Sequence, residues 1–170
     1  MKKFLLTLTA LLTVSVSWAQ GNDVMHTLRL ANDYFMAKYA DPTLPTNVNR
    51  IRPSSLWTRA VYYEGLMALY EIDPDPRYID YTDRWASFHQ WTPRNGVKTN
   101  DADDQCCGQT YAQRYMQSGG EEKIAKVIEN LNNQMGTPNP RADNELFGWW
   151  TWIDAIQMAM PLYMQIYKIT

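Results

Sequence analysis

Largely apolar stretches that read as helices begin near Leu56, Ala102 and Trp149, roughly 46 residues apart, and more polar helical stretches alternate with them. A period of this size marks stacked helix pairs, each able to bury its apolar face only against the next. The expected fold is therefore all-α, built from three antiparallel helical hairpins. Inner helices two, four and six would pack against outer helices one, three and five. Three such hairpins make an arc, about half of a closed toroid. An arc of this kind is expected to be completed, either by further chain or by a second, completing chain.

The punctuation of the sequence sets the element boundaries. Helix one is expected from Asn22 to Tyr39, with Leu28, Ala31, Tyr34, Phe35 and Tyr39 as its apolar stripe, and Asp41-Pro42 with Pro45 ends it. A loop follows to Pro53, and Ser54 or Ser55 then caps helix two, Leu56 to Ile72. Gly65 inside that helix suggests the close approach of a neighbour or ligand. Asp75 should cap helix three, Arg77 to Trp91, with Pro76 in its first position. Tyr78, Tyr81, Trp85 and Phe88 face inward there, and Asp80, Asp83 and Arg84 outward. Asn95-Gly96 is a turn. Helix four opens around Asn100 to Gln105 and runs to Met116, and helix five spans Glu121 to Met135 with an exposed charge pattern. Pro161 should kink or divide helix six.

The first residues belong to targeting rather than fold. Lys2 and Lys3 precede an apolar run from Phe4 to Val16, and Ser17-Trp18-Ala19 places small residues at both cleavage-determining positions. Residues 1–19 are thus expected to be a cleaved signal peptide, 20–170 the mature domain, and the destination periplasmic or secreted. The formal net charge is −2, and −4 once the two leader lysines are set aside. Nothing in that balance favours nucleic acid or an anionic membrane surface. Cys106 and Cys107 are adjacent, a spacing that suits neither a disulfide framework nor a zinc site; they read as small buried residues on a helix. His89 has no second ligand placed to join it and reads as a satisfied histidine.

Chemistry concentrates between Phe147 and Pro161. Asp154 is the sole carboxylate or basic group between Glu145 and Lys168, and the segment around it is apolar nearly all round. On a helix, Trp150, Asp154 and Met158 would share one face. A carboxylate in such company is expected to be desolvated and pushed toward protonation. Aromatic planes beside a carboxyl group of tuned pKa suit a sugar site. The plainer alternative makes Asp154 an internal cap that opens a helix at Ala155. If the inner helices open on one rim, Asp103 or Asp104 in the first turn of helix four can meet Asp154, giving the two carboxyl groups that acid–base work on a sugar requires. The helix dipole would keep Asp103 or Asp104 ionised. Ordinary capping is the competing explanation for Asp101, Asp103 and Asp104.

Four motifs carry a resemblance: Tyr62-Tyr63-Glu64-Gly65-Leu66, Tyr81-Thr82-Asp83-Arg84-Trp85, Asp103-Asp104-Gln105-Cys106-Cys107-Gly108-Gln109-Thr110-Tyr111, and Trp152-Ile153-Asp154-Ala155 running on to Met158-Ala159-Met160-Pro161. Over nearly all of the expected mature chain the sequence resembles the unsaturated rhamnogalacturonyl hydrolases of glycoside hydrolase family 105, and more distantly the unsaturated glucuronyl hydrolases of family 88. The resemblance implies an (α/α)6 toroid about twice this length, of which the chain would be the N-terminal half. It implies an unsaturated uronyl oligosaccharide from pectin as substrate, and no metal or organic cofactor. Asp154 would protonate C4 of the 4,5-unsaturated uronic acid and activate water for addition at C5. Asp103, with Asp104 as the neighbouring possibility, would be the second acid. Trp152 would line the pocket; apart from the resemblance, Trp150, Tyr63 and Met158 are further candidate substrate contacts. Gln157 stands where relatives usually carry an aromatic or bulky apolar residue, and no arginine presents itself for the substrate carboxylate.

Two other functions fit the same residues. One is a non-catalytic sugar-binding arc. The other is a helical-repeat interaction protein holding a peptide on its inner face, which leaves Asp154 and the Trp149, Trp150 and Trp152 cluster without a purpose.

Overall fold

The computed structural model describes residues 23–137, 150 and 152–170, which fall into two units, residues 1–40 and 41–170. The leader, Phe147 and Trp149 lie outside the described residues. Among the described residues no helix is long and apolar enough to cross a membrane. The fold class is all-α, as the periodicity predicts. In the first unit a helix, α1, covers residues 23–38. Its expected stripe is only partly covered: Leu28, Ala31 and Tyr34 are exposed, and Phe35 and Tyr39 are partly buried. Apolar spacing gives a helix its amphipathic face, but only a second element can cover that face.

The second unit begins with a departure from the expected plain loop. Strands β1 (Thr46–Val48) and β2 (Arg50–Arg52) form an antiparallel hairpin in the register Thr46↔Arg52. Asn49 turns the chain with φ 62°, a left-handed conformation that asparagine tolerates. The buried Arg59 anchors this hairpin, donating from Nη1 to Thr46 Oγ1 at 2.8 Å. Three-residue strands are too short for an alternating pattern to be read.

Helix α2 (Trp57–Ile72) and helix α3 (Pro76–Phe88) form the first hairpin of this unit. Asp75 caps α3 as expected, accepting from the amide of Arg77, with Pro76 in the first turn. The expected serine cap of α2 is absent. Leu56 holds the cap position without a side-chain bond, and Ser54 is instead committed to His89, its Oγ 2.7 Å from Nε2. The backbone oxygen of Ser54 accepts from Trp85 Nε1 at 2.9 Å.

The core of the unit is a run of rings in contact, one pair stacked and the others tilted or edge-on. Tyr63 lies flat on Trp85, ring centroids 3.8 Å apart, and Trp85 meets Tyr111, which in turn meets Trp91. Aromatic pairs of these kinds add about 0.5–1.5 kcal/mol each beyond burial. It also explains why α3 stops at Phe88, three residues before its expected end. Gln90 and Trp91 take positive φ, which swings the Trp91 ring back against Tyr111 and leaves Phe88 exposed.

His89 titrates with consequences for the fold. Burial holds its imidazole down at about 4, against an ordinary 6.5. The unfolded chain therefore binds more protons than the folded one between those values, and stability is lost as pH falls from about 6.5 to about 4. Allowing for its half-exposure, the loss attributable to His89 is about 1–2 kcal/mol. Thermal melting across this pH range should show that much less acid sensitivity in His89→Asn than in the wild type.

The expected fourth helix is interrupted by one residue. Helix α4 (Ala102–Gln105) and helix α5 (Cys107–Ser118) meet at Cys106, which keeps helical angles. Both cysteines are free and buried, as expected, and burial pushes the Cys107 thiol up to about 11. Asp83 does not simply face outward: it takes a two-pronged ion pair from the buried Arg114 of α5, at 2.7 and 2.8 Å. A 3-10 turn (Glu121–Lys123) leads into helix α6 (Ala125–Gly136). The expected sixth helix is divided into α7 (Ala155–Met158) and α8 (Met160–Ile169), with Pro161 in the first turn of α8. The close approach expected at Gly65 occurs instead at Gly108. A Cβ on Gly65 would meet nothing, whereas one on Gly108 would sit 2.7 Å from a methyl of the buried Leu162, so α8 packs directly on the α5 backbone.

Candidate active site

The loop from Asn95 to Asp101 and the turn before α7 converge on an open cavity of about 400 Å³, a size typical of small-molecule sites. Asn100, Asp101, Ala102 and Asp103 line one part of it, and Trp150, Trp152, Asp154 and Ala155 the other. The segment 95–104 is held by a buried carboxylate. Asp104 Oδ2 accepts from Thr99 Oγ1 at 2.5 Å and from Asn95 Nδ2 at 3.0 Å, while Arg94 Nη2 lies 2.5 Å from Oδ1. Burial pushes the Asp104 carboxyl up, and its bonds to Thr99, Arg94 and Asn95 pull it back. From the other side, Asn130 of α6 donates to the backbone oxygens of Val97 and Thr99 and accepts from Gln105.

Adjacent aspartates therefore do different things. Asp104 points inward and organises the loop, so it does not line the cavity. Asp103 points into the cavity, half-buried. Asp101 caps α4, accepting from the amide of Asp103 at 3.0 Å, and also borders the cavity. The Asp103 carboxyl is held above its ordinary range, first by burial, then by the charges of Asp101 and Asp154, with Arg94 opposing. The direction of this shift is opposite to the one expected from the helix dipole. Helix α4 is only four residues long, and desolvation beside two like charges outweighs what so short a helix offers.

Asp154 occupies a different setting from the expected one. Trp150, Trp152 and Ile153, the described residues just before it, are not helical, so Trp150, Asp154 and Met158 do not share a helix face. Asp154 holds the cap position of α7, which is where the plainer reading put it, but its side chain makes no capping bond. It is exposed, and it borders the same cavity as Asp103, near enough for its charge to act on the Asp103 carboxyl. Trp152 is 79% exposed and Trp150 meets Tyr163 edge-on, so both rings border the same opening. Met158 and Tyr63 do not reach it: Met158 is buried, and Tyr63 lies wholly inside the aromatic core, where burial raises its hydroxyl far out of the titratable range.

The structure thus brings together Asp103, Asp154, Trp150 and Trp152, and adds Asn100 and Asp101, which sequence reasoning treated only as part of a helix start. Their proximity to Asp103 in sequence was the available signal. Among the described residues no cluster of three histidine, cysteine or carboxylate side chains is arranged to hold a metal ion. Of the three aspartates on the cavity Asp101 is taken up by capping, and Asp103 and Asp154, the first held above its ordinary range, can share and exchange a proton.

The profile described as Glycosyl Hydrolase Family 88 matches residues 27–170. Among solved structures the chain is similar to a glycosyl hydrolase family 88 protein from Bacteroides vulgatus, with 25% identity and a TM-score of 0.72 over 88% of this chain and 42% of that one. It is also similar to a protein described as a polysaccharide lyase, with 27% identity and a TM-score of 0.70 over 87% of this chain and 41% of that one. The chain therefore spans less than half the length of either structure. No curated protein matches the sequence.

Proposed function

The chain belongs to glycosyl hydrolase family 88, and on that premise we propose that it hydrolyses oligosaccharides ending in a 4,5-unsaturated uronic acid, with Asp154 and Asp103 as its acid–base pair. The observation that carries this reading is the convergence of the two aspartates and two tryptophans on one cavity. A tryptophan face suits a pyranose ring, and Trp152 offers one to solvent. Asp154 delivers a proton to C4 of the enol ether and takes one from the water that adds at C5. The sum is addition of one water, and the resulting hemiketal opens and releases the neighbouring sugar. Asp103 keeps a proton available to the pair at pH values where a lone aspartate would have lost it.

The finer substrate assignment is a galacturonyl–rhamnose disaccharide of pectic origin, in line with the motifs shared with family 105. The cavity lining contains three aspartates and no basic side chain among the described residues. The leader expected at residues 1–19 would deliver the protein to the periplasm or outside the cell.

A second reading, eliminative cleavage, is favoured by the likeness to a protein described as a polysaccharide lyase. The two differ in sign. Hydration consumes the C4=C5 double bond and its ultraviolet absorbance falls, whereas elimination creates that bond and the absorbance rises. We expect a fall on an unsaturated rhamnogalacturonan disaccharide. A rise on saturated polymer would establish the lyase, and saturable binding without any change would leave a sugar-binding arc.

A further inference from the structure

Helix α7 is a single turn, and one turn is not stable alone. Its C-terminal carbonyls would be unpaired without help from outside. Gln109 of α5, itself buried, supplies that help, donating from Nε2 to the backbone oxygens of Gln157 at 2.8 Å and Met158 at 3.1 Å. The side chain of Gln157 reaches the other way, donating from Nε2 to Glu64 Oε2 of α2 at 3.0 Å. The remaining oxygen of Glu64 accepts from Cys106 Sγ at 3.2 Å, at the joint between α4 and α5. Inside the turn, the amides of Gln157 and Met158 both donate to the backbone oxygen of Asp154 at 2.9 Å.

We propose that Gln109, Glu64 and Gln157 form a clamp that holds the α7 turn so that Asp154 stands near Asp103, which makes Gln109 and Glu64 positioning residues for the reaction proposed above. The inference rests on that reading for its function, and on the hydrogen bonds alone for its geometry. Gln109 fixes the end of the turn to α5, whose N-terminal joint follows Asp103. Glu64 fixes both Gln157 and Cys106. Each aspartate is thereby tied to the same two helices, and neither carboxylate is itself used as a strut. Glu64 keeps its role because it accepts from two donors at once, although burial raises its carboxyl above the ordinary range.

Two readouts test the clamp in the intact chain. The first is the titration of the Asp103 carboxyl, followed by carbon NMR. The groups facing Asp103 are Asp101 and Asp104 on its own element, Arg94 from the preceding loop, Cys106 at the joint, and Asp154 from the α7 turn. Gln109→Met, Gln157→Met and Glu64→Leu should each move the Asp103 midpoint downward, in the direction that Asp154→Asn moves it, while Glu64→Gln, which can still pair with Gln157, should restore the wild-type midpoint. Midpoints unchanged in the clamp variants, or a midpoint indifferent to Asp154→Asn itself, would overturn the proposal.

The second readout is turnover of the unsaturated disaccharide. Gln157→Met should lower kcat about tenfold with KM within about twofold of wild type, as expected for misplacement of a reacting group. A normal kcat per folded molecule would overturn it. If Gln109→Met does not fold, Gln157→Met, altered at the exposed end of the clamp, and Glu64→Leu carry both measurements. Absence of turnover in the wild type would sink the proposed function, yet the Asp103 titration would still decide whether the clamp exists.

Discussion

Asp154→Asn is expected to lower turnover of an unsaturated uronyl disaccharide by about 10²–10⁴-fold, the usual worth of a positioned acid–base group. It should do so without loss of stability. The Asp154 side chain is exposed and makes no capping bond, so asparagine leaves nothing buried without a partner. Asp103→Asn should lower turnover by a similar factor and raise the melting temperature at neutral pH. The sign follows from its surroundings. A carboxyl whose folded pKa lies above its unfolded value is disfavoured as an anion in the folded state, so it detracts from stability above that range and ceases to do so as pH falls through it. A neutral amide removes the penalty at every pH. Activity bought with local instability of this kind is common at catalytic sites. Full turnover in Asp154→Asn, or a lower melting temperature in Asp103→Asn, would contradict the assignment.

Trp85→Ala should be the most destabilising single change in residues 41–170, costing about 3–5 kcal/mol. Its ring is wholly buried, lies flat on Tyr63, meets Tyr111, and gives its Nε1–H to the backbone oxygen of Ser54. Removing it opens a cavity and leaves a carbonyl short of a donor. For a domain of this size the melting temperature should fall by about 10 °C or more. By contrast Trp152→Ala, at an exposed ring bordering the cavity, should leave the melting temperature nearly unchanged and weaken sugar binding instead. Calorimetry of the two variants side by side separates the core aromatics from the site aromatics, and a small shift in Trp85→Ala would show that the stack is not what holds α2, α3 and α5 together.

The sequence made the helical class and most helix positions legible, because apolar spacing and proline punctuation act locally. Asp75 and Pro76 start α3 where their chemistry says they should. Failures came where tertiary contacts redirected a residue. Ser54 had the right identity for a cap but found His89 instead. Tyr63, in a motif shared with sugar-processing enzymes, was drawn into the ring stack rather than the cavity. Met158 would reach the site only on a helix continuous through Asp154, and the helix begins after Asp154. Asp103 and Asp104 were indistinguishable in sequence, since a one-residue step along a helix turns a side chain by about 100° and only the folded loop shows which one Arg94, Asn95 and Thr99 will capture. Convergence of Asp103 with Asp154 was predictable from the helix-pair repeat, whereas their environments were not, because burial is a property of the whole neighbourhood.

The fate of one proton distinguishes hydration from every other way of cleaving this bond. When the protein acts on an unsaturated rhamnogalacturonan disaccharide in heavy water, mass spectrometry and NMR should find one deuterium fixed on C4 of the uronyl product, with the double bond gone. The Asp154→Asn variant should transfer little or none in the same time. A released unsaturated sugar that keeps its double bond and carries no deuterium at C4 would mean that the glycosidic bond is broken by direct displacement, and would contradict the assignment of these two aspartates.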